Sequence, residues 1–353
     1  MLEYYEMSDQ IIGLCSDTTS SNTGKNKGAL SIIISYALKR PVLWLMCRHH
    51  IYERHVAHVM KEIFGPTSSP SKKLYVILQK LWPQIYEDVN KLERIVKFDW
   101  SQDAFRPGSL LFKLALDSKE FCITPLHKNT FQRGDYKYLC ELMAFFLGAE
   151  LSNFSFKQPG PHHEARFMAD CIHLLVIQIT QKYHPADSET VGKNTINHLK
   201  VATNYIVFFH GLFFLKSPNA SQAPSNDLMA FYIAFQLQTV DEFKEFAAIG
   251  KVLYQSLKRH TWYLSPQQVI FALADKDLKT EVKTNMLNKL LSYDIPELKG
   301  LIKKRPETKV EIIPTSKLED FVNEQSYLLF FLLEISKKKI MERKRYRCTF
   351  QSV

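Results

Sequence analysis

A chain of 353 residues with a net charge of +10 and a pI near 9.1 has length for one large domain or two ordinary ones, each with a core. Its 46% apolar and 23% charged residues exclude wholesale disorder, and the basic balance favours anionic partners. Six cysteines at 15, 47, 122, 140, 171 and 348 with no CxxC pair exclude a disulfide framework and favour a reducing compartment.

The start, Met1-Leu2-Glu3-Tyr4-Tyr5-Glu6, is acidic and unlike a signal peptide, so secretion is not expected. Residues 11–15 (IIGLC) predict a buried strand. The loop after it, SDTTSSNTGKNKG at 16–28, is longer than a turn needs. It presents a carboxylate at a strand tip, Asp17, then several hydroxyls and the Asn22 amide. Residues 29–38 read as helix. Pro41 opens a second strand at 42–46 that ends at Cys47, and the spacing of Ile51, Val56, Val59, Met60 and Ile63 predicts a helix to Phe64. GPTSSPSKK at 65–73 is a linker by composition.

Beyond the linker the pattern is mostly helical, near 74–93, 135–148, 163–183, 193–215, 226–238, 241–259, 266–274 and 279–292. The stretch 95–133 is less regular, with RPGS and QRGD as turn signals. SPNASQAPSND at 217–227 is a loop in which Asn226 or Asp227 suits the cap of the next helix. The apolar runs at 205–215 and 327–335 fall short of the roughly 18–20 residues of a spanning helix and read as buried helix, with no membrane partner. The end, KKKIMERKRYRC, reads either as a nucleic-acid contact or import patch or as a solvated basic end.

Three chemistries compete for residues 17–58. A phosphate-binding loop is suggested by Gly24-Lys25 after a strand, but Asn26 stands where Ser or Thr is required and no glycine stands five residues before Gly24. A zinc site of Cys47, His50, His55 and His58 has a ligand-like first spacing, but His55 falls off the face shared by His50 and His58. The third joins Asp17 and Asn22 to the Cys47-x-x-His50 segment that ends the next strand.

That combination resembles the hAT-type transposases, whose ribonuclease-H-like domain carries an aspartate-x4-asparagine segment, a strand and a Cys-x-x-His motif. PGPHHEARFMADCIHLL at 159–175, with Arg166 and Phe167, is similar to the element opening the family's helical insertion, and APSNDL at 223–228 and RHTWYLSPQQVIFALAD at 259–275 are similar to segments of transposon-derived proteins. The resemblance covers roughly residues 8–295 and implies a mixed α/β, predominantly helical fold: a partial ribonuclease-H-like domain interrupted by a large α-helical insertion. On that reading 1–65 is the first part of the domain, 66–230 the insertion, 231–300 the helical return and 301–353 a basic and apolar tail.

The resemblance implies a magnesium-dependent DNA cleavage and strand-transfer ancestry. Asp17 would be a metal ligand, Glu242 or Glu245 the later acid (with Asp241 and Asp275 behind them), and Asn22 the loop brace. Cys47, His50, Arg48 and Arg166 would position DNA. Two metals need carboxylates from several elements, and only one acid is evident, the upstream strand and its aspartate being missing. The chain is therefore expected to be incomplete at its N-terminus and catalytically silent. DNA and self-association are the expected partners and the nucleus or cytoplasm the location. A non-catalytic DNA-binding or chromatin-associated protein and a helical interaction scaffold are the rivals.

Overall fold

The computed structural model describes residues 7–66, 73–102, 105–128, 131, 133–160, 168–183, 193–239, 244–298 and 305–345. In chain order the elements are β1 (Gly13–Ser16), α1 (Ala29–Ile32), β2 (Leu43–Met46), α2 (Arg48–Phe64), α3 (Lys73–Asn90), α4 (Leu110–Lys128), α5 (Gly134–Phe146), α6 (Ala169–Ile179), α7 (Lys193–Tyr205), α8 (Gly211–Lys216), α9 (Ala223–Leu237), α10 (Lys244–Lys258), α11 (Thr280–Leu291), α12 (Tyr327–Leu332) and α13 (Lys337–Arg345). Contacts group them into two compact units. The first comprises Met1–Ile51, Lys216–Phe235 and Tyr254–Val353, the second Tyr52–Leu215 and Gln236–Leu253.

In the first unit the two strands lie parallel, Gly13 opposite Leu43 and Ser16 opposite Met46. A parallel pair needs a crossover. Here it is one helical turn at Ser20–Thr23, then α1, which continues as a π-helical turn over Ile33–Leu38. Lys39, in the left-handed region at φ 52, ends that turn by donating its N–H to the Ile34 carbonyl at 2.8 Å. Two strands alone are marginal, and parallel strands are stable when covered on both faces. The cover is a core of Leu30, Ile34, Leu38, Val42, Trp44, Met46 and Ile51, completed from far along the chain by Ala223, Trp262 and Tyr263.

The outer edge of β2 is closed by side chains. Tyr263 Oη donates to the Met46 carbonyl at 3.0 Å, and Gln268 Nε2 donates to the Trp44 carbonyl. The basic and apolar stretch beyond 301 is no loose tail within its described part. Leu318, Phe321, Val322, Tyr327, Leu328 and Phe330 are buried, and α13 packs on α11.

The second unit is helical and its centre is aromatic. Phe98 meets Phe105 at 4.6 Å and Phe208 at 5.5 Å, edge to face, and Phe208 stacks on Phe246 at 6.2 Å. The irregular residues before α4 are tied to helix ends. Val96 N–H donates to the Ile179 carbonyl and Phe98 N–H to that of Phe146, both at 2.8 Å, satisfying carbonyls that a helix C-terminus leaves over.

Three readings from sequence are corrected. The less regular stretch 95–133 contains a 19-residue helix, α4, whose boundary is the RPGS signal itself: Phe112 N–H donates to Ser109 Oγ at 3.1 Å. Asn226 and Asp227 lie inside α9. The cap upstream is Asn219, which accepts from the Ser221 N–H at 3.2 Å before a 3₁₀ turn at Ala220–Gln222. The predicted helix at 266–274 is a turn followed by a six-residue 3₁₀ helix, Val269–Ala274. The apolar run 205–215 is buried helix as expected, and within it Ile206–His210 is a π-helical turn whose residues are all buried. No helix among the described residues is long and apolar enough to cross a membrane.

Candidate functional site

The parallel register decides where Asp17 and Cys47 go. Each follows the last residue of its strand, so both stand at the carboxyl end of the two-stranded sheet, and Cys47 N–H donates to the Ser16 carbonyl at 2.7 Å. Cys47 then opens α2, its carbonyl accepting from Ile51 N–H at 3.1 Å, which puts His50 in the first turn of that helix.

Asp17 organises its own loop. Its Oδ1 accepts from the Thr19 N–H at 2.9 Å, the Thr19 hydroxyl at 2.6 Å and Asn22 Nδ2 at 2.9 Å. The first two make an Asx turn, and the third makes Asn22 a brace between strand tip and helical turn. Burial pulls the Asp17 carboxyl upward, but the donors on Thr19 and Asn22, with His50 nearby, outweigh it and hold the group below the usual aspartate value. Asp17 is therefore a carboxylate at neutral pH.

Two glycines let the loop fold this tightly. A Cβ on Gly28 would run into the Gly24 backbone N and O and the Asn22 carbonyl, and one on Gly24 would come within 2.5 Å of the Ser20 carbonyl. Between them Lys25 and Lys27 are exposed. On the strands themselves, Cys15 is exposed, and burial followed by the neighbouring Cys47 thiol pushes its thiol up from the ordinary value.

Arg48 corrects the DNA-positioning expectation. It is buried, and its Nη1 donates to the carbonyls of Lys216, Ser217 and Asn219 at 3.4, 3.1 and 3.2 Å. Its Nη2 lies 3.6 Å from Asp227 Oδ1, and its guanidinium sits 5.6 Å from the Tyr263 ring centre. A guanidinium so enclosed holds the first unit together and is unavailable to phosphate. No local sequence signal marks this, because its partners lie about 170 residues downstream.

Of the proposed later acids, Glu245 is exposed in the first turn of α10, in the second unit, while Glu242 and Asp241 lie outside the described residues, as does Arg166. Asp275 is buried and its Oδ1 accepts from the Asp277 N–H at 3.1 Å. The zinc set is not assembled either. His55 is buried, its ring against that of Tyr52 at 5.6 Å, and among the described residues no group of three His, Cys, Asp or Glu could hold a metal. Two magnesium ions require several bridging carboxylates. Among the described residues the first unit brings one to this rim, with a histidine and a thiol, and these do not fit such a centre.

No protein-family model, curated protein or solved structure matches the chain.

Proposed function

We propose that this is a transposase-derived, DNA-associated protein that meets the phosphate backbone at the carboxyl-end rim of β1 and β2. Its ancestral reaction would be magnesium-dependent DNA cleavage and strand transfer. Among the described residues one carboxylate stands on that rim, and no cleavage step is assigned to it. The observation that carries the reading is the parallel pairing that joins Asp17, Asn22, Cys47 and His50 on one rim.

Electrostatics supplies the contact. Lys25 and Lys27 stand exposed on the loop that Asp17 and Asn22 brace, in a chain whose net charge is +10. Such a surface binds phosphates without reading bases, releasing counterions as it does. The DNA partner and a nuclear location follow from this reading.

A titration of duplex DNA at two salt concentrations, with and without magnesium, tests it. The expected result is affinity that falls steeply with salt, ignores magnesium and drops when Lys25 and Lys27 are both changed to Ala. Absence of duplex affinity at low salt overturns the reading. Magnesium-dependent nicking abolished by Asp17→Asn would instead show that the rim retains chemistry.

A further inference from the structure

The second unit holds a cavity of about 610 Å³, a size at which proteins take up small molecules. Leu78 of α3 and Ala169, Ile172 and Val176 of α6 make its apolar wall. The spacing 169, 172, 176 sets the last three on one helix face. The remaining wall is the non-helical segment 157–160 and the start of α5. That segment is tied down along its length. Phe156 N–H donates to Asn90 Oδ1 at 2.8 Å and Lys157 N–H to Tyr138 Oη at 3.0 Å. The Gly160 carbonyl accepts from Gln79 Nε2 at 2.7 Å and lies 3.1 Å from His173 Nε2. Bonds to α3, α5 and α6 thus make the cavity a standing feature of the fold.

The charges on this wall do not cancel. Arg133 is spent on Asp135, its Nε donating to Oδ1 at 3.0 Å. Lys157 has no carboxylate partner among the described residues, and its ammonium stands 4.7 Å from the centre of the Tyr138 ring. The start of α5 has no side-chain cap, so its field adds to that of the lysine. One unmatched positive charge therefore lies beside an apolar face.

We propose that this cavity binds a small monoanionic amphiphile, its head on the Lys157 ammonium and its apolar body on Leu78, Ile172 and Val176. A medium-chain carboxylate is the simplest molecule of that class. The wall discriminates by what each rival head would leave unmatched. A neutral head desolvates the ammonium without pairing it, and a cationic head adds a like charge. None of these residues belongs to the rim of β1 and β2, so the site is independent of the DNA reading.

Titration calorimetry of the whole chain with octanoate, octanol and octylammonium tests the proposal. Octanoate should saturate one site per chain, and the other two should bind about tenfold more weakly or worse. Lys157→Met, at an exposed position, keeps the apolar stem and removes the charge. It should cost octanoate about tenfold and leave octanol unchanged. A Cβ on Gly134 meets open space, so Gly134→Glu adds a carboxylate to the wall at a helix start that tolerates one. It should turn the preference from octanoate toward octylammonium. Ile172→Trp, at a half-buried position, fills the cavity and should abolish octanoate binding. Octanoate that fails to bind at millimolar concentration, octanol that binds as tightly as octanoate, or an octanoate affinity indifferent to both Lys157→Met and Ile172→Trp overturns the proposal.

Discussion

Asp17 and Arg48 stand thirty-one residues apart, just beyond the ends of the paired strands, and their charges do opposite work. Asp17 keeps its charge near solvent and uses it to fold a loop. Because its folded pKa lies below its unfolded one, its contribution is complete above about pH 4 and fades as pH falls through the lower folded value. Titrating the Asp17 carboxyl by NMR should give a value below that of a free aspartate, and Asn22→Ala should raise it. A carboxyl titrating at or above the ordinary value would contradict the brace. Arg48 is the reverse case, a buried charge matched by Asp227 and three carbonyls. Removing one partner of a buried pair strands the other, so Arg48→Ala should cost about 3–5 kcal/mol in urea unfolding. Lys25→Ala and Lys27→Ala, at exposed positions, should change stability by less than about 0.5 kcal/mol.

Among the elements, the π-helical turn Ile206–His210 has the clearest consequence. An extra residue in a helical turn redirects side chains, and here His210 is completely buried among the rings of Tyr52 at 6.3 Å, Tyr205 at 5.9 Å and Phe214 at 5.9 Å. Neither ring nitrogen has a hydrogen-bond partner among the described residues. Burial drives the imidazole pKa down to about 3, against a smaller upward pull from Asp170. The unfolded chain therefore binds a proton that the folded one refuses. Stability should be full above about pH 6.5 and fall as pH drops toward 3, by up to roughly 5 kcal/mol. His210→Leu should flatten that part of the pH profile in thermal unfolding, and an unchanged profile would place the acid sensitivity elsewhere.

What could be read in advance at this scale follows a physical rule. β1, β2, the helix after Cys47 and the long loop at Asp17 declare themselves locally, through apolar runs, Pro41 and a cluster of small polar residues. Their parallel pairing was also foreseeable, since the helical connection of 26 residues, 17–42, suits a crossover. The roles of Arg48, Tyr263 and Gln268 were not, because each is defined by a partner far along the chain. α4 was obscured by Pro125 in its last turn and by charged residues along its length, although its RPGS start was visible.

On the scale of the whole molecule, that same separation orders the folding. Most of the second unit is one continuous stretch, Tyr52–Leu215, rich in contacts between successive helices such as α4 with α5 and α5 with α6. The first unit is assembled from three stretches, and the cover of its sheet, Trp262 and Tyr263, comes from over two hundred residues beyond β2. Closing so long a loop costs entropy before any contact repays it. Pulse-labelled hydrogen exchange during refolding should therefore protect the amides of α5 and α6 before those of Leu45 and Cys47. If the cover docks late, Tyr263→Phe, which removes the donor to the Met46 carbonyl, should lower stability by about 1 kcal/mol. That loss should appear as faster unfolding with the folding rate unchanged. Strand amides protected as early as those of α5, or a Tyr263→Phe variant that folds slowly and unfolds normally, would instead mean that the distant cover belongs to the nucleus.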